Sequence, residues 1–162
     1  MALRYAQSPD RSRPRLSCHV PLTAADTIEI LDLIGRYCHA VDAGDGPAYA
    51  DTYLPEGIFE MPVGLVEGRD ALIEMVGVIQ NAMPGVRHMS SNWVIEGDGD
   101  AATMRCYMQI KVHDPASGER APPQPKLVAT GIYDDTLRRV DGAWKFASRK
   151  INVECWDWPD WP

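Results

Sequence analysis

Apolar residues recur every three or four positions between Ile28 and Val41 and again between Leu72 and Ile79, the spacing of helices with one buried face. After Val86 the period changes to two, the signature of strands with one face covered. The first helix starts at Thr23 or Asp26, either of which can cap it, and runs to about Ala43, where Gly44 and Gly46 stop it. A short helix follows Pro47. Tyr53-Leu54-Pro55-Glu56-Gly57 then turns into a strand, Ile58 to Val63. Gly68-Arg69-Asp70 opens the second amphipathic helix, on which Leu72, Met75, Val76 and Ile79 share a face, and Pro84-Gly85 ends it.

The rest of the chain reads as a meander. Val86–Glu96 and Ala101–His113 flank Gly97-Asp98-Gly99-Asp100, strong hairpin chemistry. A Pro-rich loop, Asp114 to Pro125, leads into Leu127–Val140, and Asp141-Gly142 returns the chain through Trp144–Cys155. Helices first and an antiparallel meander last, without βαβ alternation, predict an α+β fold: a curved antiparallel sheet wrapped around the N-terminal helices. The expected organisation is a loose basic arm over 1–22, one domain over 23–155, and an aromatic tail over 156–162 whose prolines cannot continue a strand. A transit peptide would also be basic, but Asp10 and the lack of amphipathic pattern argue against one.

One residue breaks the pattern of the first helix. On a wheel of ~100° per residue with Leu31 at zero, Ile28, Ile30, Ile34, Cys38 and Val41 fall on one arc, and Glu29, Asp32 and Arg36 fall opposite. Asp42 lands at ~20°, inside the apolar arc, and Tyr37 lies near its edge. A carboxylate on a buried face is costly without a partner. Two structural alternatives stand beside a functional one: the helix end lifts Asp42 into solvent, or Asp42 accepts from loop amides near Gly44 and Gly46. His88 begins a strand in which alternation puts His88, Ser90, Asn92 and Val94 on one face. A carboxylate beside it would fix its tautomer and raise its basicity. Arg149, in Ala147-Ser148-Arg149-Lys150, is either a surface cation or a binder of an anion or leaving group. Tyr37 is either a core aromatic or a proton donor.

Composition narrows the function. The 162 residues carry 16 Lys+Arg against 23 Asp+Glu, a net charge of −7, which disfavours nucleic acid and anionic membranes as partners. No stretch approaches the ~20 apolar residues of a membrane span, and the N-terminus lacks the apolar segment of a signal peptide, so a cytoplasmic protein is expected. The four cysteines, Cys18, Cys38, Cys106 and Cys155, form no C-x-x-C pair and read as reduced, buried thiols. His19, His39, His88 and His113 lack zinc spacing, and nucleophile elbow, P-loop and dinucleotide motifs are missing. These absences favour chemistry by side chains alone, with no cofactor and no metal.

Arg36-Tyr37, Asp42-Ala43-Gly44-Asp45, Glu67-Gly68-Arg69-Asp70-Ala71, Arg87-His88 and Asp141-Gly142-Ala143-Trp144-Lys145-Phe146, in this order and spacing, resemble the SnoaL-like group of the nuclear-transport-factor-two-like superfamily. The resemblance covers roughly residues 23–155. It implies a cone-shaped α+β barrel around a deep pocket, and it looks closest to the branch of scytalone dehydratase, hexachlorocyclohexane dehydrochlorinase and the bile-acid dehydratase. By that resemblance Asp42 and His88 match a catalytic dyad, Arg149 an arginine of the last strand, and Tyr37 a catalytic tyrosine where the dehydrochlorinase has lysine. Loss of water or an isomerisation is thereby favoured over loss of halide. The resemblance implies a lyase, dehydratase-like, acting on a small hydrophobic substrate. The alternatives are a polyketide cyclase or ketosteroid isomerase-like enzyme, and a non-catalytic ligand-binding or assembly subunit. A homo-oligomer, trimer or dimer, is expected. Met61, Met89, Met108, Trp93 and the tail tryptophans are the candidates for the pocket wall or lid.

Overall fold

A computed structural model describes residues 20–114 and 124–157. The arm before Val20, most of the Pro-rich loop and the tail beyond Asp157 lie outside the described residues. Three helices, α1 (Ala24–Ala43), α2 (Gly46–Ala50) and α3 (Arg69–Ala82), precede most of a six-stranded sheet. Its strands are β1 (Tyr53–Met61), β2 (Gly64–Glu67), β3 (Arg87–Asp98), β4 (Ala101–Asp114), β5 (Gln124–Val140) and β6 (Ala143–Trp156). The spatial order is β2-β1-β6-β5-β4-β3. The sheet is curved and unclosed, and the architecture is the α+β type that the periodicity predicts.

Two features correct the predicted strand plan. The segment after Tyr53 is itself strand, and β1 folds back through Pro62-Val63 onto β2, a hairpin that the sequence pattern did not announce. β1 also pairs with β6 in parallel, so the sheet is mixed, not antiparallel throughout. The chain reaches β6 only after crossing the meander, and that long return is what permits a parallel neighbour.

α1 begins with a capping box: the Asp26 amide donates to Thr23 Oγ1, and the Thr23 amide and hydroxyl donate to the Asp26 carboxylate. Gly44, at φ 75°, closes the other end in the left-handed conformation that glycine adopts without strain. Asp26 does more than cap. Its Oδ1 accepts from Trp144 Nε1 at 3.2 Å and lies 2.7 Å from Arg139 Nη1. Arg139 also donates to Asp100. This corner fastens the start of α1 to the β3–β4 and β5–β6 turns.

The concave face of the sheet and the buried faces of α1 and α3 make one core. β4 shows the plainest pattern: Ala102, Met104, Cys106, Met108, Ile110 and Val112 are buried while Thr103, Arg105, Tyr107 and Gln109 are exposed. Ile28, placed on the apolar arc of α1, is 66% exposed, because the face that is buried is the one carrying Asp26, Ile30, Leu33, Ile34, Tyr37 and Val41, and Ile28 points away from it. Cys106 is buried and Cys38 half-buried, and burial pushes their thiols up to about 12 and about 11. Cys155 is exposed, against the expectation of a buried thiol; Cys18 lies outside the described residues. No described helix is long and apolar enough to cross a membrane.

Hydrogen bonds from Thr23, first, then those from Trp144 and the charge of Arg139, hold the Asp26 carboxyl down at about 2. A carboxylate that is more acidic in the folded than in the unfolded chain stabilises the fold above its unfolded value and loses that contribution as pH falls. Stability should therefore drop between about pH 4 and pH 2, and the drop should be shallower in Asp26→Asn, which has no carboxylate to protonate. Urea midpoints across that range test this; identical acid limbs would refute it.

Candidate active site

Asp42, in the last turn of α1, neither turns into solvent nor caps the following loop. That loop has its own acid: Asp45 Oδ1 accepts from the Ala48 amide and caps α2. The end of α1 is held by Gln80 of α3, whose Nε2 donates to the Val41 carbonyl. So fixed, Asp42 reaches β3. Its Oδ1 lies 2.7 Å from His88 Nδ1, and both carboxylate oxygens lie 3.1 Å from the His88 backbone nitrogen. β3 is an edge strand, and Asp42 satisfies an outward-facing amide there while it holds the ring. The side chains are 12% and 5% exposed, so the pair is shielded from most of the solvent. An ionised carboxylate can only accept, so the hydrogen bond places the proton of the neutral ring on Nδ1. Nε2 has no partner among the described residues.

His88 lines a cavity of about 530 Å³ together with Tyr37, Phe59, Met75, Met83, Ile110, Tyr133 and Ile151. The wall is mostly apolar, in the usual manner of a small-molecule site. Met61 and Trp156 are on that wall as expected, but Met108, Met89 and Trp93 are not. Met108 is a core residue at 1% exposure, and Met89 and Trp93 are exposed at 46% and 45%. Trp158 and Trp161 lie outside the described residues. A β-bulge corrects the predicted shared face of β3. Register shifts between Ser91 and Val94, with Asn92 at φ 56°, so His88 and Ser90 face inward whereas Val94 is 59% exposed.

Tyr37 is buried at 2% exposure and borders the cavity. It belongs to a group of aromatic rings that the sequence reading did not assemble: Tyr49, Tyr133 and Phe146 lie 4.9, 6.3 and 5.7 Å from it, centre to centre. Tyr49 Oη is 3.5 Å from Tyr37 Oη and 3.3 Å from Tyr53 Oη. Burial raises the Tyr37 phenol above its ordinary value, and the positive charge of Arg149 opposes that rise. The hydroxyl therefore stays protonated at neutral pH.

Arg149 is neither a surface cation nor a cavity wall. It is fully buried, and its Nε and Nη2 donate to the two oxygens of Asp135, each at 2.8 Å. The rings of Tyr133, Tyr37 and Phe146 flank its guanidinium carbon at 4.1, 4.2 and 4.3 Å. Burial acts to lower its pKa, but Asp135 outweighs it and keeps Arg149 well above its ordinary value. A bulge is again responsible. Trp144 and Phe146 face inward, the register slips between Phe146 and Ser148, and Arg149 takes the inward position that strict alternation gives to Ser148. Asp135 shares the inward face of β5 with Tyr133 and Leu137. The structure thus joins Asp42 to His88 and Tyr37 to Arg149, and only Tyr37 and His88 meet the cavity. Among the described residues no group of His, Cys, Asp and Glu could hold a metal ion.

Comparison with known proteins agrees with this architecture. The chain belongs to the SnoaL-like domain family, which it matches over residues 23–150. That span contains all four residues discussed above. Among solved structures, a protein of unknown function from Mycobacterium tuberculosis is 28% identical, with a TM-score of 0.73 over 80% of this chain and 72% of its own. A protein of unknown function with a cystatin-like fold from Nostoc punctiforme is 27% identical, with a TM-score of 0.70 over 82% of this chain and 94% of its own. A Catenulispora acidiphila protein, solved in complex with S-DNPA, is 25% identical, with a TM-score of 0.70 and coverages of 82% and 96%. No curated protein matches the chain.

The buried pair at the base of the site gives a stability prediction. Arg149→Met leaves Asp135 buried without its cation and should cost about 3–5 kcal/mol in urea unfolding. Arg149→Met combined with Asp135→Leu should cost less than Arg149→Met alone. A double variant that is the weaker of the two would contradict this account of the pair.

Proposed function

We propose that this chain is an acid–base enzyme that needs no cofactor and eliminates water from a small hydrophobic molecule. The observation that carries the reading is the 2.7 Å contact of Asp42 with His88 Nδ1, with Nε2 left on an apolar cavity. In the reaction, Nε2 takes a proton from the carbon next to a substrate carbonyl. The C–H electron pair moves into an enolate, and Asp42 stabilises the imidazolium that forms. The enolate oxygen lies against the Tyr37 hydroxyl, and the buried charge of Arg149 behind the ring favours negative charge there. Collapse of the enolate breaks the C–O bond at the next carbon, and the departing hydroxide recovers a proton from the imidazolium as water. The products are water and a conjugated enone, and the enzyme ends as it began.

Support comes from three directions: the family contains dehydratases, cyclases and isomerases, the cavity is open to a ligand, and the dyad is shielded but has one free nitrogen. An isomerase would use the same first step and return the proton to another carbon, so products separate the two.

A probe that reports only on the base is nitrobenzisoxazole. A base takes its ring C–H proton, the N–O bond breaks, and a yellow cyanonitrophenolate appears. The wild-type chain should accelerate this opening, and His88→Ala and Asp42→Asn should each lose about 10²-fold or more. Hydrophobic β-hydroxyketones should then give conjugated enones, read by ultraviolet absorbance. Variants as fast as wild type in both assays would overturn the proposal.

A further inference from the structure

The two ends of the cavity differ in charge. At the inner end stand Tyr37, Tyr133 and His88, all buried. At the outer end the lining residues are exposed: Leu65 and Glu67 on β2, Glu74 and Val78 on α3. Glu67 and Glu74 have no hydrogen-bond or ion-pair partner among the described residues, and no lysine or arginine is among the residues that line the cavity. Carboxylates without a cation nearby keep their field, and the chain's net charge of −7 adds to it. This is a ligand site on independent grounds, because His88 is nine-tenths buried and presents an unpartnered Nε2 to the same cavity.

We infer that Glu67 and Glu74 select the substrate by charge: the cavity takes a hydrophobic molecule whose solvent-side end is a protonated amine or is uncharged, and it rejects carboxylates, phosphates and phosphate-bearing thioesters. The inference deepens the proposed function, since it names the substrate class of the same site. The physical basis is direct. A ligand that fills the inner end with its apolar body must leave its polar end between β2 and α3, beside the carboxylates of Glu67 and Glu74. At the partly exposed mouth each such charge changes the affinity of a charged ligand several-fold, more at low salt. An uncharged ligand feels neither attraction nor repulsion, so its affinity measures the apolar wall alone.

Three adamantane derivatives of nearly equal shape, the amine, the methanol and the carboxylate, separate these terms. Binding at pH 8 and low salt is read by titration calorimetry. The amine should bind best and the carboxylate about tenfold more weakly than the alcohol. In Glu67→Gln/Glu74→Gln the alcohol should bind as before, and all three affinities should fall within about threefold of one another. Added salt should narrow the wild-type spread in the same direction. Equal wild-type affinities, a spread that survives the double substitution, or binding of none of the three would each overturn the inference. His88→Ala keeps both glutamates, so it should lose the ring-opening activity and keep the charge order. Failure of the base and failure of the charge selection are thus read separately.

Discussion

A carboxylate on the covered side of a helix has to be satisfied, and Asp42 is satisfied by His88, 46 residues further along the chain. Three short distances meet at its two oxygens, one from the His88 ring and two from the His88 backbone nitrogen. The contact therefore does structural and chemical duty at once. It supplies a partner to an amide on the sheet edge, sets where the end of α1 lies against β3, and orients an imidazole with one nitrogen bonded and the other free. Disrupting it would leave a carboxylate and an edge amide unpaired within the same few ångströms.

The second buried charge cluster supports the first from a distance. Arg149 and Asp135 form a bidentate buried pair under a ring of aromatics, with Arg149 Nη1 left without a hydrogen bond, and they meet the cavity only through Tyr37 and Tyr133. A guanidinium in this place gives the inner end of the cavity a positive underside without exposing a cation to the ligand. The outer end carries Glu67 and Glu74. A hydrophobic cavity with a buried guanidinium behind its inner end, His88 on one wall and two glutamates at its mouth has a direction. On the proposed function it takes a molecule that develops negative charge at its inner end and carries none at its outer end.

Much of this was legible in the sequence, and the boundary of legibility has physical causes. Helical spacing located α1 and α3, and the wheel singled out Asp42 because one residue broke a regular stripe. The turn pairs Gly99-Asp100 and Asp141-Gly142 located both long hairpins. Arg149 and Val94 could not be read because a bulge reverses inside and outside without leaving a periodic mark. The β1–β2 hairpin has no strong turn pair beyond Val63-Gly64, and the parallel pairing of β1 with β6 joins segments about 90 residues apart. Tyr133 and Asp135 do alternate on β5, a signal that places an acid on an inward face beside a tyrosine.

The tautomer of His88 tests the account at its centre. Nitrogen-15 NMR of the histidine ring at pH 8 reads it directly, with Asp42→Asn as the comparison. In the wild-type chain Nδ1 should carry the proton that Asp42 holds and Nε2 should be bare, and Asp42→Asn should change this pattern. A ring protonated on Nε2 in the wild-type chain, or a pattern that Asp42→Asn leaves unchanged, would contradict it.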